Sequence, residues 1–251
     1  MGMLTPRVWF SARSCALMFS SPDSALAQDG PQLFRLGMVK VKMGGQYEFE
    51  EATKLINAAY KKAGAPWRQV WRTAIFGEMG TVVSVTPVKN YAQFDGEAPI
   101  AQMSAADRAK YTTLSRNCIE SVHYTLEESI PSLSIVSSRT TPPKFARVTT
   151  VLVQPGKTIE FEELIRTMIL PAMKKASVKD YWVNRTVLGG PMGQYTLLYI
   201  FDKWAELDTA PTLDKALGAE GFKQFLGKIS GIAAHSENMV AATDSALSYS
   251  Q

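Results

Sequence analysis

A chain of 251 residues that is 46% apolar can bury a sizeable core, and 17 glycines with 13 prolines exclude collagen-like or low-complexity disorder. The formal charge of +4 is spread over scattered lysines and arginines, the longest runs being Lys61-Lys62 and Lys174-Lys175, which excludes the dense basic face of a nucleic-acid binder. Two histidines exclude a histidine-rich zinc centre.

Residues 1–27 carry Arg7 and Arg13, a short apolar patch at 15–19, and Ala25-Leu26-Ala27 before Gln28. This pattern resembles a secretory signal with an A-x-A cleavage site, so export to a periplasmic or extracellular space is expected. Removal of the leader would leave Cys118 as the only thiol, with no intramolecular disulfide. Beyond it, no stretch reaches the ~18 apolar residues of a membrane span.

From residue 33 the chain is written twice. Glu48-Phe49-Glu50-Glu51 recurs as Glu160-Phe161-Glu162-Glu163, Arg72-Thr73 as Arg185-Thr186, and Gly77-Glu78-Met79-Gly80 as Gly190-Pro191-Met192-Gly193. His123 pairs with His235, and the offset stays at 112 or 113. Such anchors at one spacing indicate an internal duplication, with a first repeat at 33–139 and a second at 144–251.

Each repeat reads as strand, helix, strand, strand, helix, strand. A strand at 33–42 is followed by the Gly44-Gly45 turn and a helix whose apolar stripe is Tyr47, Phe49, Ala52, Leu55, Ile56 and Ala59. A hairpin of strands 70–76 and 81–88 turns at 77–80, a helix covers 107–119, and a strand 121–128 closes the repeat. Thr140-Thr141-Pro142-Pro143 forms the linker.

The second repeat places strands at 145–153, 181–188, 194–201 and 235–242, and a helix at 213–232 interrupted near 218–221. Pro171 should kink or break its first helix. The order βαββαβ is the split-βαβ, ferredoxin-like unit, whose sheet has one bare face. Two copies packed sheet to sheet predict an α+β, pseudo-dimeric α/β barrel with a central lumen.

Pro155-Gly156-Lys157 leading into Glu160-Phe161-Glu162, the run 169–175, and Phe201-Asp202-Lys203-Trp204-Ala205-Glu206-Leu207-Asp208 resemble the dimeric α/β-barrel superfamily, nearest its tandem NIPSNAP-like branch. The match is fullest in the second repeat; the first has Tyr91 at the Trp204 position and Asp95 at Asp208. The resemblance implies the fold. The superfamily includes cofactor-free monooxygenases, haem enzymes such as chlorite dismutase, and polyketide cyclases.

The Arg35/Arg147, Arg72/Arg185 and His123/His235 pairs are polar residues kept in both copies, on or beside strands. Arg35, Arg72, Arg147 and Arg185 supply guanidinium forks for a carboxylate or enolate, and Tyr124, Tyr195 and Tyr199 supply hydroxyls and ring faces to a lumen wall. His123 and His235 are the candidate general bases, with Glu127 and Glu237 near enough in sequence to orient them. The plain alternative is that the arginines pair with helix carboxylates at the sheet edge.

The glutamates of the first helical turns suit the helix dipole rather than a metal, and Cys118 suits a buried apolar position. No metal site and no resident cofactor are expected. A haem would need one axial histidine, for which His235 is the candidate through the chlorite dismutase resemblance. The leading expectation is a protein that binds a small, anionic ligand in the lumen. The alternatives are a cofactor-independent monooxygenase or lyase using a histidine base, a haem-dependent oxidoreductase, and an interaction module with a filled lumen. Self-association through outer sheet edges stays open.

Overall fold

The computed structural model describes residues 31–139, 141–209 and 212–250. The expected leader, including Cys15, lies outside the described residues, as does Thr140 of the linker.

The first half runs β1 (Leu33–Val41), α1 (Gln46–Lys62), β2 (Trp67–Thr73), β3 (Thr81–Val88), α2 (Ala105–Cys118) and β4 (Ile119–Ser129). The second runs β5 (Phe145–Val153), α3 (Thr158–Leu164), α4 (Leu170–Lys175), β6 (Tyr181–Leu188), β7 (Gln194–Phe201), the short α5 (Glu206–Thr209), α6 (Leu213–Ile229) and β8 (Ala233–Thr243). A two-residue strand β9 (Tyr249–Ser250) ends the described chain.

Hydrogen bonding orders the strands β2-β3-β1-β4 in one half and β6-β7-β5-β8 in the other. The β4–β6 and β2–β8 pairings join these half-sheets into a closed antiparallel barrel of eight strands, and β9 adds to β2. Closure leaves no long free edge in the barrel wall.

Strand alternation divides the apolar residues between two faces. Inward-facing Trp71, Ala146, Ile200 and Ala241, with Val83, Val85, Val148, Trp182, Leu198 and Met239 against them, form a core inside the barrel. This part of the expected lumen is therefore filled by side chains. Outward-facing residues meet the helices. Val41, Phe49, Val70, Val82, Cys118 and Leu247 form the core of the first half, and Phe161, Ile165, Val183 and Tyr195 centre that of the second. Each fully buried aliphatic or aromatic side chain there contributes about 1.5–3 kcal/mol.

The helices follow local rules. Ser104 caps α2, accepting from the Asp107 amide at 3.1 Å, and the Lys61-Lys62 and Lys174-Lys175 pairs stand in last turns, opposite the negative ends of the dipoles. The stripe of α1 buries Phe49, Ala52, Thr53 and Ala59, but Tyr47, expected on it, is exposed.

Pro171 does not break its helix. The chain stays helical from α3 into α4 through a π turn at Ile165–Ile169, where the Leu170 amide donates to the Ile165 carbonyl and the ladder shifts register just before the proline ring. Gly218, at φ 72°, does interrupt α6. The hairpin strand expected at 70–76 begins three residues earlier and ends at Thr73, leaving Ile75 and Phe76 exposed.

One glycine shows how tightly the barrel seam is drawn. Gly189, at φ 79°, passes so close to β4 that a Cβ would stand 2.3 Å from the Tyr124 carbonyl oxygen.

Candidate functional site

Between the outward face of the first half-sheet and helices α1 and α2 lies a cavity of about 540 Å³. Outward alternation on β1 brings Arg35, Gly37 and Val39 to it, β2 brings Arg68 and Val70, and β4 brings Val122 and Tyr124. Helix α1 supplies Ile56 and Tyr60, α2 supplies Tyr111, and the connection before α2 supplies Ala98, Pro99 and Ile100. Among the described residues, three arginines (35, 68 and 116) line the cavity, and no carboxylate does.

Arg68 is the unusual group. It is 8% exposed, its Nη1 donates to Asn57 Oδ1 at 2.6 Å, and its buried Nε has no hydrogen-bond partner among the described residues. The Tyr60 ring lies 5.3 Å from the guanidinium carbon. Burial pulls its pKa down, opposed by Tyr60, Tyr249, Tyr111 and Tyr124, yet an arginine stays protonated at such a site. A buried charge without a counter-charge is expensive, so an incoming anion would be strongly favoured.

Arg35 stands on β1, across β3 from Arg68, with the same need. Its Nη1 donates to the Tyr60 hydroxyl at 2.9 Å, and its guanidinium carbon lies 4.4 Å from the centre of the Tyr124 ring. Gly37 makes this possible, since a Cβ there would meet Tyr124 Cε1 at 2.8 Å and Ser84 Oγ at 2.9 Å. Burial pushes the Tyr111 phenol up, so it remains a neutral hydroxyl at physiological pH. The result is an aromatic-walled, cationic pocket that can bind and polarise an anion.

The other candidates divide. Arg147 and Tyr199 face outward as Arg35 and Tyr124 do, and line a second cavity of about 790 Å³ beneath α3, α4 and α6. None of these four points into the barrel, which corrects the lumen expectation: their strand parity sends them to the helix side, and inward parity belongs to their apolar neighbours.

Arg72 is held by Asp244 Oδ2 and, at 3.3 Å, by Glu50 of α1, the sheet-edge pairing that was the plain alternative. Arg185 forks onto Glu128 at 2.6 and 2.8 Å near the surface. Tyr195 is buried and donates to Glu162 at 2.8 Å, with Phe161 packed on its ring.

The histidines stay outside the first cavity. His123 is exposed on β4, opposite Met38. Glu127, four residues on, does not orient it, because its oxygens accept from Thr196 at 3.0 Å and Asn184 at 3.3 Å deep in the barrel. His235 is on β8, about two-thirds exposed at the rim of the second cavity and 3.9 Å from Glu237.

That exposure does not suit an axial haem ligand, which needs an imidazole fixed inside the pocket. Burial pushes the Tyr181 and Tyr199 phenols up, away from the phenolate that would be the other ligand. The residues of this cavity therefore do not fit a haem. Among the described residues no group of three or more His, Cys, Asp or Glu could hold a metal ion, and no helix is long and apolar enough to cross a membrane.

Arg68, Asn57, Tyr60 and Tyr111 were not among the candidates drawn from sequence. With β2 expected to start at residue 70, Arg68 fell in a loop. Extending the strand back through Trp67 would have put Arg68, Val70 and Arg72 on one face.

No protein-family model and no curated protein matches the chain. Solved structures do. An anthrone oxidase-like protein superimposes with a TM-score of 0.60 at 11% identity, over 88% of this chain and 94% of its own. A monooxygenase candidate from Lactobacillus acidophilus gives 0.55 at 7% identity, over 88% and 97%. Chlorite dismutase from Candidatus Nitrospira defluvii, solved with imidazole, gives 0.56 at 7% identity, over 90% and 96%. At these identities the likeness is one of fold: the chain has the dimeric α/β-barrel architecture.

Proposed function

We propose that the protein binds a small anion with a flat apolar body, such as an aromatic carboxylate, in the cavity between its first half-sheet and helices α1 and α2. The observation that carries this reading is Arg68, a buried guanidinium with a free Nε, facing a cavity that contains no carboxylate. Arg35 would take the second oxygen of the anion, and Tyr60, Tyr111 and Tyr124 would cover the ring.

The pocket's own groups favour binding over turnover. A proton-abstracting oxygenase or lyase needs a base within reach of the substrate, and the lining includes no imidazole or carboxylate. The monooxygenase alternative rests on shared fold with the structures above. We further read the two halves as copies of one ferredoxin-like unit of the NIPSNAP-like kind. The recurring anchors and the matching strand order support that reading. Export is proposed on the leader pattern alone.

Calorimetric titration with salicylate tests the binding proposal. The chain from Gln28 onward should bind one equivalent, and Arg68→Met should weaken binding on the order of tenfold or more, as loss of a charge-assisted hydrogen bond requires. Equal affinity in a folded Arg68→Met variant would refute it.

A further inference from the structure

The second cavity differs from the first in kind. Under α6 its wall is largely apolar, including Ile169, Met173, Leu197, Leu213 and Ile229, and among the described residues Arg147 is its one arginine or lysine, with His235 at the rim. No carboxylate lines it.

Among the described residues the Arg147 guanidinium makes no hydrogen bond or ion pair; its contact is the Tyr199 ring, 5.1 Å from the guanidinium carbon. The hydroxyls of Tyr181 and Tyr199, which share the wall with Arg147, likewise have no hydrogen-bond partner among the described residues. Glu206, whose charge reaches Tyr199, accepts instead from the Asp202 and Lys203 amides at 3.2 and 2.9 Å. Three unused donors thus cluster at one place in an apolar space.

Helix α6 is the second observation. None of its 17 residues is buried, although Leu213, Phe225 and Ile229 point at the sheet and line the cavity. An amphipathic helix normally buries that face. Here about 790 Å³ separates it from the strands, within the range of a ligand pocket.

We infer that this cavity is a separate site for a single-headed amphiphile, a straight-chain carboxylate whose head lies on Arg147, Tyr181 and Tyr199 and whose alkyl chain fills the space under α6. One cation calls for one anionic head, and the aliphatic wall suits a chain rather than a ring system. The site is independent of the salicylate pocket, which has a different set of residues.

Dodecanoate is the probe. Calorimetry on the intact chain should give one bound equivalent. Arg147→Met, which keeps the side chain's bulk, should lower affinity about tenfold, and Thr149→Trp, which fills the cavity from β5, should abolish binding. A structure of the complex should show the chain between β5, β7 and α6. Absence of binding, density elsewhere, or full affinity in a folded Arg147→Met variant would overturn the inference.

Discussion

Asn57, not a carboxylate, receives the buried Arg68 guanidinium: Nη1 donates to Asn57 Oδ1 at 2.6 Å. The same amide donates through Nδ2 to the Leu247 carbonyl at 2.7 Å, so one side chain joins the cationic pocket to the C-terminal segment. That segment is also held by the β2–β9 pairing of Arg68 with Tyr249 and by Ser248, whose Oγ accepts from the Val70 amide at 2.9 Å. The amide satisfies one Arg68 donor and leaves the charge uncompensated.

Asn57→Asp should therefore silence the pocket. The new carboxylate neutralises Arg68 from within and competes with any external anion, so salicylate affinity should fall at least about tenfold. Aspartate cannot donate to Leu247, and its second oxygen would face that carbonyl. Hydrogen exchange in β9 should accordingly quicken. Undiminished salicylate binding in this variant would mean that Arg68 is not the anion's partner.

How legible this was depends on which physical signal each feature carries. The strand at 81–88 was readable to the residue because a run rich in β-branched residues follows the Gly77–Gly80 turn. The Gly218 interruption was readable because glycine tolerates a positive φ. Arg35 and Arg147 were readable as a functional type, but a period of two leaves their face open until register is known. Arg68 was hidden differently. The position 113 residues on is Tyr181, so the recurring sequence pattern that pointed to the arginine and histidine candidates could not point to this one. Its burial also depends on Asn57 and Tyr249, far apart in sequence.

Arg72 and Arg185, matched at one offset in the sequence, should contribute differently to stability, a contrast the sequence pattern does not suggest. Arg72 ties β2 to α1 through Glu50 and to the C-terminal segment through Asp244, with its side chain only 23% exposed. Arg185 holds Glu128 while 47% exposed. Arg72→Met should cost about 1–2 kcal/mol and lower Tm by roughly 2–8 °C. Arg185→Met should cost less than about 1 kcal/mol, because solvent screens the pair. Differential scanning calorimetry decides the matter, and equal losses would count against the buried tie.

Glu127 should make the barrel weaker as pH rises. Burial raises its pKa, and the hydrogen bonds from Thr196 and Asn184, both from neutral donors, lower it by less. The folded protein thus holds the proton more tightly than the unfolded chain. The stabilisation is complete below the ordinary carboxyl value of 4.5 and is lost as pH climbs through the raised folded value. Glu127→Gln removes the titration and keeps a neutral side chain that can bond to the same neighbours. Urea midpoints of the two proteins should therefore separate steadily above pH ~4.5, with the glutamine variant ahead by about 1–3 kcal/mol at pH 8. Exposed carboxylates such as Glu78, whose pKa is lowered first by its hydrogen bond from Lys40, act in the opposite sense in both proteins and cancel in the difference. A difference that does not change with pH would show that the Glu127 carboxyl titrates in the folded barrel as it does in the unfolded chain.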